Sequence, residues 1–349
     1  MRATLPNPRF WIGIVISVAA LYFAVRGVAW SAMAAELAGA AYGWLIPATA
    51  MIIAGQMARA LRWQVLFGDH ARPNLHDSFA ILSVGYLVSA VFPLRLGDPI
   101  RAWLINTHTP AGGPEAFGTV MVERAVDLLT VLALLAVLVP APAARLITDQ
   151  LGAGPWSNPT YLGLMTVALV GSVYAGLMIL SRLGPGAGRA ATAAGITRLG
   201  LSVPTAERLG VGVAGFAAGL GTLRQPRVLA ATAAWCVVVW VLGALGCWFA
   251  MFAFHLDLSF AAAMFVLCGT AIFAILPSSP GYVGVFHTAV ILTLAIIAGV
   301  PKATALSYAI VLHGLTMVVL IGIGLVGLRM VGVSGGELGA RLGQAQTGA

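Results

Sequence analysis

Pro277-Ser278-Ser279-Pro280-Gly281-Tyr282-Val283-Gly284-Val285-Phe286-His287 interrupts a long apolar run, with residues 261–276 before it and 288–298 after it. Pro277 and Pro280 lack the N–H that a helix interior requires and clash with the preceding turn. Gly281 and Gly284 leave helical φ/ψ at little cost. The flanks are apolar enough for lipid. Backbone broken at membrane depth survives only where protein buries it or where it lines a cavity. A second break, Phe92-Pro93-Leu94-Arg95-Leu96-Gly97-Asp98-Pro99-Ile100-Arg101, lies about half a chain earlier. The question the sequence poses is whether the two breaks form one site.

Composition sets the class. Sixty per cent of residues are apolar, 9% are charged and mean hydropathy is +0.96, whereas about a quarter of a soluble domain is charged. The chain therefore reads as an all-α polytopic membrane protein. Its net charge of +8 is the positive-inside bias of such a protein rather than a nucleic-acid footprint. Cys236, Cys247 and Cys268 all fall in apolar segments without metal-ligand spacing, so neither disulfides nor a metal is expected. Arg2, Arg9 and the apolar run from Phe10 imitate a signal peptide, with Ala32-Met33-Ala34 as a cleavage-like triplet. The repeat described below needs this first span uncleaved.

Apolar segments of spanning length fall at 10–28, 42–57, 118–139, 160–180, 228–254 and 303–328, about six full spans. Two shorter pairs, 78–92 with 100–106 and 260–276 with 285–298, flank the breaks. Residues 29–41 and 140–159 read as loops, and the tail after 330 reads as polar and Gly-rich. Arg182, Arg189, Arg198, Arg208, Arg224 and Arg227 face a single acid, Glu207, so the 181–227 linker is expected in the cytoplasm. Arg59, Arg62 and Arg72 place a 58–77 loop there too. Arg2, Arg9, Arg329 and Arg341 place both termini there, in the inner (cytoplasmic) membrane. With Glu36 alone at 29–41, and Arg145 balanced by Asp149, the other two loops suit the outside.

These sides force each broken pair to enter and leave by the same face. Residues 78–106 form a hairpin from the cytoplasm that turns at 93–99. Residues 260–298 form one from the outside that turns at 277–284. The single membrane domain, 1–349, then divides into a first repeat at 10–139 and a second at 160–330. A shift of about 185 residues carries one onto the other, the hydropathy signature of an inverted repeat with its site where the discontinuous helices meet. Two unrelated proline-kinked helices are the alternative.

Ionisable groups inside apolar segments are costly and mark candidate sites. Asp98 and Arg101 are three residues apart and can pair on one helix face. Arg95 with Arg101 leaves a positive excess, and a helix start at Pro99 adds N–H donors, which together suit an anion such as a phosphate head group. Glu123 and Asp127 on one helix face repel unless Arg95, Arg101 or Arg124 lies between them. Snorkelling to water is the alternative for these charges. His287 is read either as a donor to an anion or proton-linked switch, or as a satisfied core residue; His313 lies in the last span. Neither has metal spacing, and Ser278 and Ser279 lack a His/Asp partner. No metal, cofactor or catalytic residue is expected.

At these residues the chain resembles the lysylphosphatidylglycerol synthase transmembrane, or flippase-like, family. The resemblance covers roughly residues 10 to 330 and rests on Leu61-Arg62-Trp63, the 92–101 break, Glu123-Arg124 with Asp127, and the 277–287 stretch. It implies an integral membrane domain related to the lipid-translocating half of bacterial multiple peptide resistance factors. Some stand-alone members are linked to hopanoid or glycolipid pathways. The first motif usually has Glu where this chain has Asp98. The second usually has Glu at the position of His287, with Arg common near His313. The longest non-spanning segment is the linker, so no soluble aminoacyltransferase domain is expected.

The candidate substrate-binding set is Arg62, Arg95, Asp98, Arg101, Glu123, Arg124, Asp127, Pro277, Pro280, Gly281, Gly284, His287 and His313. The leading expectation is a flippase-like carrier that binds or moves an anionic phospho- or isoprenoid lipid and is not an enzyme. The runner-up is a membrane-embedded transferase on a lipid-linked substrate, with Asp98, Glu123 or Asp127 as base. An accessory subunit of a lipid- or glycolipid-biosynthetic enzyme is the third.

Overall fold

The structure is a computed structural model that describes residues 8–68, 72–92, 96–108, 113–138, ten positions between 160 and 175, 221–276 and 278–347. Arg95, Pro277, most of the expected span at 160–180 and nearly all of the basic linker lie outside the described residues.

Every regular element among the described residues is helical. The helices are α1 (Pro8–Val25), α2 (Trp30–Gly39), α3 (Leu45–Leu66), α4 (Leu75–Val91), α5 (Gly97–His108), α6 (Gly113–Leu138), α7 (Pro226–Ala253), α8 (Phe260–Phe273), α9 (Val285–Ala298), α10 (Lys302–Met330) and α11 (Gly335–Thr347). Single 3-10 turns at Tyr42–Trp44 and Pro280–Tyr282 precede α3 and α9. Four stretches (Tyr42–Leu66, Pro226–Ala253, Pro280–Ala298 and Lys302–Met330) are long and apolar enough to cross a membrane, and α1 with α2 makes a fifth if that pair, bent by 86°, is one span. The outward faces carry Val15, Ile46, Val237 and Val318, each more than 60% exposed. A surface of this kind, on helices whose charges point inward, belongs in lipid.

Local chemistry sets the helix starts. Asn74 accepts the Asp77 N–H at 2.8 Å and opens α4, while Ser259 accepts the Ala262 N–H at 3.3 Å and opens α8. Pro226 stands in the first turn of α7, where its missing N–H costs nothing. Gly299, at φ 58°, closes α9.

The packing of the two halves follows one pattern. In the first, α3 packs on α4, α4 on α5 and α5 on α6; in the second, α7 packs on α8, α8 on α9 and α9 on α10. Across the halves, α3 lies along α7, α4 on α10 and α6 on α8. Both interrupted segments close as antiparallel hairpins. In the first, Gly85 faces Gly97 and Arg101 so closely that a Cβ on Gly97 would run into the Gly85 carbonyl and the Ser89 hydroxyl. In the second, Gly269 faces Thr293.

Three expectations are corrected. Residues 58–66, expected as the start of a loop, are the last turns of α3. Arg62 is fully buried there, so it is not a loop charge for topology counting. Residues 29–41 contain α2, which lies on α10, with Thr304 donating to Glu36 at 2.8 Å. The polar tail contains α11.

Candidate functional site

The charges of the first half interlock. Arg62 on α3 makes two hydrogen bonds to Asp127 on α6, at 2.5 and 3.0 Å, and lies 3.5 Å from Glu123 one turn away. Arg101 on α5 donates to the other oxygen of Glu123 at 2.7 Å. Arg124 on α6 donates to Asp98 on α5 at 2.8 Å. Three guanidinium groups thus meet three carboxylates, and the cluster is neutral. Trp63 explains the residue after Arg62: its indole lies 4.3 Å under the Arg101 guanidinium and donates to Thr119 at 3.1 Å.

The arrangement revises the expected pairings. Asp98 and Arg101 approach only to 4.0 Å, and each has a closer partner on α6. The cation between Glu123 and Asp127 is Arg62, from a helix more than fifty residues earlier. Arg101 is consumed by Glu123, so it adds no positive excess to the first break. Arg62, Arg101 and Glu123 are sealed from solvent, yet the Nε atoms of both arginines and Glu123 Oε1 have no hydrogen-bond partner among the described residues. Burying charge this incompletely satisfied costs free energy that apolar residues would not, which points to a role beyond stability.

The second break is a strained turn. Gly281, Tyr282 and Gly284 have φ of 68°, 57° and 83°, and for tyrosine the left-handed region is costly. Pro280 starts the turn, and the Ser279 N–H donates to the Ser17 hydroxyl of α1 at 2.7 Å. Gly284 packs on α1 so closely that a Cβ there would lie 2.8 Å from Leu21 N. The Gly284 N–H donates to His287 Nδ1 at 3.3 Å. The His287 and His313 rings meet edge to face at 5.0 Å, and Phe286 stacks on His313 at 4.7 Å.

The two breaks do meet. The Pro280–Tyr282 turn packs on α4, with Gly281 against the Ala90 carbonyl. Two adjoining cavities open at that contact. The smaller, about 150 Å³, lies among Ser89, Asp98, Arg124 and Tyr282. The larger, about 330 Å³, has Arg59, Arg124, Asp127 and His313 on its wall, with Val131, Val239, Leu267 and Ile275 among the apolar residues that make most of the rest. Tyr86, Arg124, Tyr282 and Met317 line both.

Of the sequence candidates, Asp98, Arg124, Asp127 and His313 face the cavities, and Arg62, Arg101 and Glu123 stand behind Arg124 and Asp127. Pro280 and Gly281 shape the turn, and Gly284 and His287 hold it against α1 and His313. Arg59, Tyr86, Tyr282 and Met317 were not among the sequence candidates. Arg59 is one turn before Arg62, a spacing that puts it on a neighbouring face of α3, but counting it as a loop charge hid that relation. It donates to Gln56 at 2.9 Å and makes no ion pair among the described residues.

A family model described as the lysylphosphatidylglycerol synthase TM region matches residues 10–324. The chain belongs to the lysylphosphatidylglycerol synthase transmembrane family. Comparison with curated proteins and with solved structures finds no match. As a member of this family the chain is a multi-pass membrane protein of a group tied to lipid biosynthesis or flipping. The His287 and His313 rings touch, and of the two His313 lines the larger cavity.

Proposed function

We propose that the protein is a lipid carrier of the inner membrane. On this reading it binds an anionic phospho- or isoprenoid lipid in the cavity between its two helix breaks and moves it between leaflets. The observation that carries the reading is the shape and polarity of the larger cavity. The lining includes the cations Arg59 and Arg124 beside a largely apolar surface of aliphatic and aromatic side chains, and the volume of about 330 Å³ is that of a small-molecule site. An amphipathic ligand is what such a lining satisfies. The shared packing pattern of α3–α6 and α7–α10 supports an inverted repeat at 10–139 and 160–330. The two hairpins then enter from opposite faces, and both termini lie in the cytoplasm.

A carrier is preferred to a transferase because Asp98, Glu123 and Asp127, the candidate bases, are each held by an arginine. A guanidinium engaged in this way must be displaced before the carboxylate oxygen can meet a substrate proton. The test is scrambling of fluorescent phosphatidylglycerol in proteoliposomes. Wild type is expected to exchange lipid between leaflets, and Arg124→Ala to slow the exchange about tenfold or more. Exchange no faster than in protein-free vesicles refutes transport. A modified lipid in a lipidomic comparison of a deletion strain with its parent favours the transferase.

A further inference from the structure

We infer that the sealed ion cluster of α3, α5 and α6 is a water-binding site, entered from the larger cavity along one face of α7. The inference goes beyond the carrier reading and does not rest on it.

Unsatisfied hydrogen-bonding capacity carries the argument. Arg62, Arg101 and Glu123 are 0%, 1% and 0% exposed. One carboxylate stands between the two guanidinium groups: Glu123 Oε2 accepts from Arg101 at 2.7 Å, and Oε1 lies 3.5 Å from Arg62. Arg62 Nε, Arg101 Nε, Arg101 Nη1 and Glu123 Oε1 have no hydrogen-bond partner among the described residues. Buried polar atoms are normally paired, and an unpaired atom of a charged group costs more than a neutral one. The set also selects its ligand. N–H donors and a carboxylate oxygen stand together, so a bound anion would meet Glu123 and a bound cation would meet the arginines. Water donates and accepts, and so satisfies both kinds of atom.

A second helix points to the same place independently. Cys236 on α7 lies 3.3 Å from Arg62. Thr232, one turn earlier on that face, is 2% exposed, and its hydroxyl has no partner among the described residues. Thr49, Thr130, Thr293 and Thr316 each donate to the carbonyl four residues back, the usual outlet for a threonine inside a helix. Thr232 does not use it. One turn beyond Cys236, the buried Trp240 keeps an unpartnered Nε1 and lines the larger cavity. Asp127, the partner of Arg62, lines that cavity too. The face of α7 that carries Thr232, Cys236 and Trp240 therefore leads from open space to the cluster. In a dry enclosure the attraction between Arg62 and Asp127 is nearly unscreened. Water weakens it and allows the arginine to exchange partners.

Hydroxyl-radical labelling by X-ray exposure, read by mass spectrometry on the full-length protein in nanodiscs, tests the site. Radicals formed from bound water oxidise the side chains beside it. Cys236 and Cys247 are free thiols, 4% and 7% exposed, and Cys247 belongs to the apolar cluster of Ala250, Met251 and Leu312. Cys236 is expected to oxidise several times faster than Cys247, against the order of exposure. N-ethylmaleimide, too large for a sealed site, is expected to leave Cys236 unmodified. Thr232→Val exchanges the hydroxyl for a methyl at constant shape. It should slow Cys236 oxidation several-fold and lower the melting temperature by about 2 °C, the shift that one lost hydrogen bond gives. Thr232→Ser keeps the hydroxyl and should label as wild type.

Cys236 oxidation no faster than that of Cys247 overturns the site. So does a Thr232→Val protein that melts above wild type, the gain expected when an unpaired hydroxyl leaves a dry enclosure. Rapid maleimide modification of Cys236 reveals open solvent rather than bound water and overturns it as well. Lipid scrambling bears on carriage alone, so either reading can fail without the other.

Discussion

Glu123→Gln tests whether the buried charge cluster is held together as its geometry implies. Glu123 is inaccessible, receives the Arg101 hydrogen bond at 2.7 Å on one oxygen, and faces Arg62 at 3.5 Å with the other. Glutamine keeps the shape but replaces one oxygen by an NH₂, which must point at one of the two guanidinium groups. The cluster changes from neutral to +1. Arg101, also sealed, is left with Asp98 at 4.0 Å and the Trp63 ring at 4.3 Å. Removing one partner of a buried pair costs about 3–5 kcal/mol, and the retained amide acceptor keeps the cost near the lower end, about 3 kcal/mol. A loss of that size lowers the melting temperature by roughly 5–10 °C, measurable by scanning fluorimetry of the detergent-solubilised protein. The double variant Glu123→Gln with Arg101→Gln restores neutrality and should melt above the sum of the single effects, by an interaction of about 2 kcal/mol. A Glu123→Gln melting temperature within about 1 °C of wild type, or strict additivity in the double variant, refutes the reasoning.

Two further outcomes follow from the same geometry. Gly97→Ala drives a methyl into the Gly85 carbonyl and the Ser89 hydroxyl, so the first hairpin must part at a cost of about 2 kcal/mol or more. Melting and monodispersity on size exclusion should both fall, while Gly39→Ala, with nothing near its Cβ, behaves as wild type. Asp98→Asn leaves Arg124 without its carboxylate and adds an unpaired cation to the cavity lining among the described residues. Binding of dihexanoyl-phosphatidic acid should then improve about tenfold relative to phosphatidylglycerol, and an unchanged ratio of the two affinities counts against the charge balance.

The sequence by itself determined the class, the helix breaks and the pairing of short helices around them. Those depend on local physics. Proline lacks a donor wherever it stands, glycine tolerates left-handed φ wherever it stands, and a segment either has or lacks enough apolar residues to cross lipid. The elements at 75–108 and 260–298 were legible for that reason, and so was the cluster of charges near Asp98 and Glu123.

Who pairs with whom was decided only by the tertiary structure. Charge counting places Arg59 and Arg62 in water, because a cation after an apolar run usually marks a loop. The fold continues that helix to Leu66, sends Arg62 to Asp127 and leaves Arg59 facing the cavity. Likewise Arg101 has a carboxylate three residues away in sequence and bonds another 22 residues on. Spacing along a chain sets which face of a helix a side chain occupies, but the helix that faces it is chosen by packing. The neutral cluster, the place of Arg59 on the cavity wall and the His287–His313 contact all arise at that second step.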